Sequence, residues 1–380
     1  MRDFHHTLPI AALLACLTLS PAALAIAKPS ANDAYEQANQ SHAKDQAVDA
    51  IIQLKNALQA DPKHLPSLIL SGRIYLEQAL GLAAEDSLRT ALAAGGDRNL
   101  VLPMLGEALL QQGKSARLLG ELSADGLSAT GQARVHTLRA QAYMLNREMR
   151  DARRELDAAT AAVPGNFEAR LIDVTWQMNN GQGARGMQQL AGLLKEYANT
   201  GEVWSLSGAI HHARGEFVAA LEDYDRALAR APRNLDVRIA KIGLLVDLNR
   251  DAESAADFAY LEREFADEPR AAYLRSIVAA RAGRIDEVDE ALQTALTALA
   301  PLEAESYAAN PALNLIKGLS HYGLRQFEMA IPALQSYIAR RPDDVGAHKA
   351  LGDALLKTNA AADAVTVLEA AVERQPQDAR

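Results

Sequence analysis

An all-α solenoid, an α-α superhelix of about ten helix-turn-helix repeats, is the fold class that this 380-residue sequence predicts, and three observations predict it. Prolines recur on one period: Pro62 to Pro164 spans 102 residues, Pro164 to Pro232 spans 68 and Pro342 to Pro376 spans 34, all multiples of 34. Hydrophobic residues make up 49% of the chain and aromatic residues only 5%. Alanine and leucine therefore supply most of the apolar surface, which suits helices packed closely through small side chains. Between the prolines, apolar or small residues recur at spacings of three and four, as in Leu68, Ser71, Gly72 and Tyr75 and then in Ala84, Leu88 and Ala91.

In chain order, the first 27 residues read as a secretory signal. Their apolar run from Leu8 to Leu19 is followed by Pro21 and by small residues that suit cleavage after Ala25 or Ala27. That run is too short for a comfortable membrane span. Cys16, the only cysteine, excludes an internal disulfide and leaves two readings. It is a lipidation site in a lipobox-like Leu13-Leu14-Ala15-Cys16, or it belongs to the removed apolar segment, since an apolar run continues after it. A short linker, residues 28–32, leads to a solenoid over residues 33–378.

Ten repeats are expected, starting at Ala31, Leu65, Asn99, Ala133, Phe167, Gly201, Leu235, Pro269, Pro311 and Val345. Only the step from Pro269 to Pro311 breaks the period, at 42, which places about eight extra residues near 301–310. Within each repeat one set of small residues, including Gly106, Gly208, Gly318 and Gly352, marks where two helix backbones approach closely. A second set, Ala50, Ala152, Ala220, Ala330 and Ala364, does the same from the second helix. Gly113, Gly181, Gly215 and Gly283 are expected as left-handed residues closing the first helix. Asn234 and Asp344 stand where they would cap the next one, and Pro62, Pro164, Pro232, Pro342 and Pro376 close the second helices that they follow. The third repeat loses its pattern over Glu121 to Thr130, and the fifth carries Asp173, Val174 and Gln177 at first-helix sites. Helices are expected to persist in both because neighbouring repeats supply packing.

The stretch from Trp204 to Pro232, WSLSGAIHHARGEFVAALEDYDRALARAP, carries Trp204, Gly208, Gly215, Ala220, Tyr224, Ala227 and Pro232. That spacing resembles the tetratricopeptide repeat, a 34-residue helix-turn-helix unit. The resemblance covers nearly the whole mature chain and implies a right-handed superhelix with a concave groove that takes a protein partner. On the first-helix positions that such arrays turn toward the groove stand Met144, Met178, Tyr273, Leu315, Leu319 and Tyr322, with Arg73, Arg134, Gln141 and Lys349. Soft apolar and aromatic side chains with a few polar donors suit an extended peptide or a partner helix. Packing of the same Met and Leu residues on the next repeat is the competing reading. The lysine and asparagine set that clamps chaperone-tail carboxylates in some repeats of this kind is not reproduced.

Other chemistry is weighed and set aside. Gly181-Gln-Gly183-Ala-Arg-Gly186 fits a dinucleotide-binding pattern, but a helix is expected before it where a strand is required. His211 and His212 are adjacent in a helix and point about 100° apart, so one metal does not take both from the same face. His211 is expected to pack in the core and His212 to face the groove. No nucleophile elbow, P-loop, kinase signature or metal motif occurs, so no catalytic, cofactor-binding or metal-binding residue is assigned. A net charge of −9 argues against a nucleic-acid footprint.

From Ala47 to about Leu110 the text AVDAIIQLKNALQADPKHLPSLILSGRIYLEQALGLAAEDSLRTAL, with NLVLPMLGEALLQQGK after it, resembles the amino-terminal part of repeat lipoproteins associated with bacterial PEP-CTERM/exosortase systems. This narrower resemblance implies an exported, periplasmic or lipid-anchored scaffold linked to protein sorting or exopolysaccharide export. A periplasmic or outer-membrane assembly or cell-wall adaptor, or a regulatory arm of an enzyme complex, is the alternative. The last helix, near Ala360 to Arg374, is expected to leave part of Ala364, Val365, Leu368 and Val372 uncovered, as a surface for self-association or docking.

Overall fold

The computed structural model describes residues 30–44, 46–302 and 304–374; the signal segment, Cys16 and Pro376 lie outside them. Ten helix pairs follow one another. They are α1 (Ala31–Ala43) and α2 (Ala47–Ala60), α3 (Leu65–Glu77) and α4 (Gly81–Ala93), α5 (Arg98–Gln111) and α6 (Ser115–Glu121), α7 (Ala129–Leu145) and α8 (Met149–Ala162), and α9 (Phe167–Asn179) and α10 (Gly183–Glu196). Next come α11 (Gly201–Ala213) and α12 (Phe217–Arg230), α13 (Leu235–Asp247) and α14 (Ala255–Glu264), and α15 (Pro269–Arg281) and α16 (Ile285–Leu299). A short α17 (Ala304–Ala309) occupies the expected insertion, before α18 (Pro311–Gly323), α19 (Phe327–Ile338), α20 (Val345–Lys357) and α21 (Ala361–Arg374). A 3-10 turn, Asp251–Ser254, leads into α14.

Local chemistry sets the boundaries. Asn166, Asn234 and Asp344 each accept a backbone N–H three residues on, closing the open N-termini of α9, α13 and α20. Ser30 and Asp33 form a reciprocal capping box before α1. The residue that ends each first helix is left-handed throughout repeats 2 to 10. Gly113, Gly181, Gly215 and Gly283 take this role, and so do Ala79, Arg147, Asn249, Arg325 and Asn359. The chain turns there because the next amide reaches back to the helix, as Glu216 N does to His211 O at 2.9 Å.

Within a repeat, a glycine receives a large side chain 16 residues later. A Cβ on Gly208 would lie 2.6 Å from the Tyr224 ring, and one on Gly72 would lie 2.6 Å from Leu88. Gly318 and Leu334, and Gly352 and Leu368, meet in the same way. First helices of consecutive repeats also pack on one another along nearly all of the array, whereas consecutive second helices are not packed to that degree. The first helices thus form the inner row of a curved stack, and the second helices lie outside.

Repeat 3 departs from expectation. Its second helix, α6, stops at Glu121 after seven residues instead of continuing through Thr130. Ser123, Asp125 and Gly126 make a tight turn: the Ser123 hydroxyl donates to Asp125 at 2.7 Å and Gly126 adopts φ +73°. Ser128 then caps α7, which begins at Ala129, a turn earlier than expected. The neighbouring repeat replaces the missing helix. Arg139 of α7 donates to the carbonyls of Leu119 and Leu122, at 2.8 and 3.0 Å, satisfying groups that a longer helix would have used. Leu122 and Leu127 remain buried in the core cluster that joins repeats 2, 3 and 4.

Candidate functional site

The inner row of first helices presents one residue per repeat on a common register. Arg73, Glu107, Gln141, Thr175, Ala209, Gly243 and Ile277 follow at intervals of 34, and Leu319 and Asp353 continue the series after the insert. Its character changes along the array. Repeats 2 to 5 are polar or charged, repeats 6 and 7 carry only Ala209 and Gly243, repeats 8 and 9 carry Ile277 and Leu319, and Asp353 of repeat 10 returns a charge. A Cβ at Gly243 would meet nothing within 4 Å, so the floor is open there.

At the polar end, Arg134 Nη2 lies 3.1 Å from Glu107 Oε1. The Glu107 side chain is 42% exposed. Desolvation nevertheless pushes its carboxyl above the usual range, Arg134 opposes the shift, and Glu168 of repeat 5 adds to it. Arg73 is exposed and Gln141 half-buried on the same register. Sequence reasoning named Arg73, Arg134 and Gln141 and missed Glu107; the signal was its place midway between Arg73 and Gln141 on the 34-residue register.

The apolar candidates sit more deeply. Tyr273 packs against the cluster of Ala272, Ala295, Leu299 and Ile316, and burial pushes its phenol up to about 12. Beside it, desolvation works against the Arg270 charge, but Glu268 and Asp236 overcome it and raise the guanidinium pKa. Leu315, Leu319 and Tyr322 are half-buried against Ala330, Leu334, Leu351 and Leu355, and the Tyr322 hydroxyl donates to Asp353 at 2.8 Å. Met144 packs toward Ala152, Leu156 and Trp176. Met178 leans on its own second helix, where a Cβ at Gly186 would lie 2.9 Å from its sulfur. Lys349 is half-buried on α20.

Both histidines of repeat 6 reach toward the second helix, so His212 departs from its expected groove position. His211 points to acids, with Nδ1 2.5 Å from Glu216 and Nε2 3.6 Å from Asp223. His212 packs edge-on against Phe217 and Tyr224, between α11 and α12, with Nδ1 3.2 Å from the Tyr224 hydroxyl. The reason is the Gly208 notch, which draws Tyr224 onto the same side of α11 one turn before His212.

The glycine-rich 181–186 segment is a helix turn: α9 precedes it, Gly181 is left-handed at φ +74° and Gly183 opens α10. Beside truncated α6 a polar depression of about 350 Å³ is lined by Ser123, Asp125, Gln132, His136, Arg139 and Glu155. Its charged groups satisfy one another: Glu155 accepts from Arg139 at 2.8 Å and pairs with His136 at 2.6 Å. Desolvation opposes the Glu155 charge, but these two partners hold its carboxyl below the usual range. Among the described residues no group of three His, Cys, Asp or Glu side chains is gathered as a metal site, and no helix is long and apolar enough to cross a membrane.

Two family models match the chain, both described as tetratricopeptide repeat, over residues 172–300 and 317–379. No curated protein is similar enough to count as a match. Among solved structures, yeast Tom70 is similar over 90% of this chain and 85% of its own, at 12% identity and a TM-score of 0.44. A tetratricopeptide repeat protein of Parabacteroides merdae aligns over 75% of this chain and 98% of its own, at 14% identity and a TM-score of 0.38. A thermophilic repeat protein of Thermus thermophilus aligns over 57% and 99%, at 20% identity and a TM-score of 0.34.

Proposed function

Because the chain is a tetratricopeptide repeat protein, we propose that it acts as a scaffold without catalysis of its own, holding an extended segment of a protein partner along its inner row of first helices. The observation that carries this reading is the graded register. Charged and polar groups at Arg73, Glu107, Arg134 and Gln141 give way to the open floor at Ala209 and Gly243, and then to Ile277 and Leu319. A segment with polar groups opposite repeats 2 to 5 and apolar groups opposite repeats 8 and 9, short of Asp353, matches that order. A floor of small residues lets its backbone approach closely in the middle. The exposed edges of Met144, Met178, Tyr273, Leu315, Tyr322 and Lys349 border the same path. Affinity comes from many shallow contacts summed over several repeats.

Position-specific photo-crosslinking tests this. A crosslinking amino acid at Gln141 or Ile277 should capture the partner, while one at Val218, 71% exposed on the outer helix α12, should not. Equal capture from Val218 would contradict a groove site.

The location proposed for this scaffold is the bacterial envelope, with a role in protein sorting or exopolysaccharide export of the PEP-CTERM/exosortase kind. The signal-like residues 1–27 and the resemblance over Ala47 to Leu110 support it. Fractionation should recover the chain outside the cytoplasm, and a cytoplasmic chain that keeps its first 27 residues would contradict export. Lipidation at Cys16 predicts incorporation of labelled palmitate that Cys16→Ser abolishes.

A further inference from the structure

Hydrogen bonds between repeats normally run to a neighbour, about one period away. Gln111 Nε2 donates to the Leu76 carbonyl at 2.9 Å, Arg281 Nη1 to the Val246 carbonyl at 2.7 Å, and Arg270 Nη1 to Asp236 at 2.7 Å. This is the behaviour of a quasi-one-dimensional array, in which each unit is held only by the units on either side. Among the described residues, one hydrogen bond reaches much further. The Ser306 hydroxyl, on the inserted helix α17 between repeats 8 and 9, donates to the Gln112 carbonyl of repeat 3 at 3.0 Å, across 194 residues.

We propose that α17 is a strap that closes the solenoid on itself, tying the junction of repeats 8 and 9 to the turn of repeat 3 and setting how far the groove between them opens.

Both ends of the strap are built for this. On the insert side Tyr307 is the anchor. Its hydroxyl donates to the Leu299 carbonyl at 2.7 Å, its carbonyl accepts from Asn314 at 3.3 Å, and Lys317 lies 5.1 Å from the ring centroid. On the far side, Gln112 is the C-cap of α5, so its carbonyl has no partner within that helix. The residue is held firmly. Its side-chain amide donates to the Gly81 carbonyl, the Ala108 carbonyl and Glu85, each at 3.0 Å, and its side-chain oxygen accepts from Lys114 at 2.8 Å. Glu85 and Lys114 are themselves 7% and 6% exposed, so a buried polar cluster fixes the acceptor in place.

The two ends are rigid and the link between them is light. A single neutral hydrogen bond shifts an equilibrium by roughly two- to tenfold. The strap therefore biases the array toward the closed form without locking it. The period break also acquires a purpose, because a 34-residue repeat has no element that leaves the stack to reach a distant repeat. That the strap would govern partner entry rests on the groove reading above; the strap itself does not.

Hydrogen exchange on the full chain, with no partner present, tests the strap separately from the groove. Ser306→Ala should raise exchange at residues 110–115 by two- to tenfold together with that at 304–309, and Ser306→Asp, which sets a carboxylate against the Gln112 carbonyl, should raise both further. Deleting residues 302–309 restores the 34-residue period and leaves no strap to misfold. It should raise exchange at 110–115 by at least as much and increase the maximum dimension in small-angle scattering. Unchanged exchange at 110–115 in the two point variants, whether or not α17 itself changes, or in the deletion, would overturn the proposal.

Discussion

Repeat 6 and repeat 3 occupy the same 34-residue frame and complete it by different means. In repeat 6 the second helix, α12, runs for 14 residues, and its Tyr224 fills the notch at Gly208. In repeat 3 the second helix lasts seven residues, yet Leu122, outside any helix, fills the notch at Gly106, where an added Cβ would lie 2.7 Å from it. The frame therefore depends on which side chain reaches which notch. The helix is the usual way to deliver that side chain, and a neighbour's arginine is another. Where a repeat is locally weak, its stability has moved into the contact with the next one, as expected of a stack whose interfaces carry much of the free energy.

The sharpest way to break this comparison is at Arg139. Its guanidinium serves two helix-end carbonyls and Glu155, whose side chain is 14% exposed. Arg139→Ala leaves both carbonyls without that donor and Glu155 with His136 alone, and a loss of about 3 kcal/mol is expected in urea unfolding. Arg230→Ala in repeat 6, which loses an exposed contact to the Ala198 carbonyl, should cost about 1 kcal/mol or less.

A smaller effect probes the notch. Gly208→Ala improves helix propensity by about 1 kcal/mol but drives a methyl to 2.6 Å from Tyr224, and overpacking costs about 1–3 kcal/mol, so a net destabilisation is expected. Gly192→Ala, on a helix face with nothing within 4 Å, should stabilise by about 1 kcal/mol instead. Thermal melts of the two variants moving in the same direction would mean that the notch is not tightly filled.

Smallest is the effect at the turns. Arg147 and Arg325 hold φ of 63° and 59°, a region that costs an L-residue about 1–2 kcal/mol. Part of that is returned to the unfolded chain when glycine replaces them. Arg325→Gly should therefore stabilise by about 0.5–1 kcal/mol, measured by the same melts, and a loss would show that the arginine side chain matters more than the backbone there.

Much of the fold was legible because its signals are local. The starts at Ala31, Leu65, Phe167, Gly201, Leu235, Pro269, Pro311 and Val345 coincide with the observed helices, since caps, prolines and turn residues act within a few positions of themselves. The end of α6 was hidden because Arg139, the residue that stabilises it, lies in the next repeat. The five left-handed turns without glycine were hidden because alanine, arginine and asparagine do not announce that conformation. On the first helices, spacing alone pointed to Arg134, and its partner Glu107 emerged only when charge was traced along the register. His212 was misplaced because helical phase places a residue to within one position, while a neighbouring ring decides whether a side chain is covered. The link from Ser306 to Gln112 has no periodic signature.

Amide exchange at Leu118 and Leu122 tests the transfer of stability between repeats most directly. Protection comparable to that of Tyr224 and Leu228 in repeat 6, falling on Arg139→Ala while repeat 6 is unchanged, is the expected result. Rapid exchange at Leu118 and Leu122 in the wild-type chain, or exchange there that Arg139→Ala leaves unaltered, would contradict it.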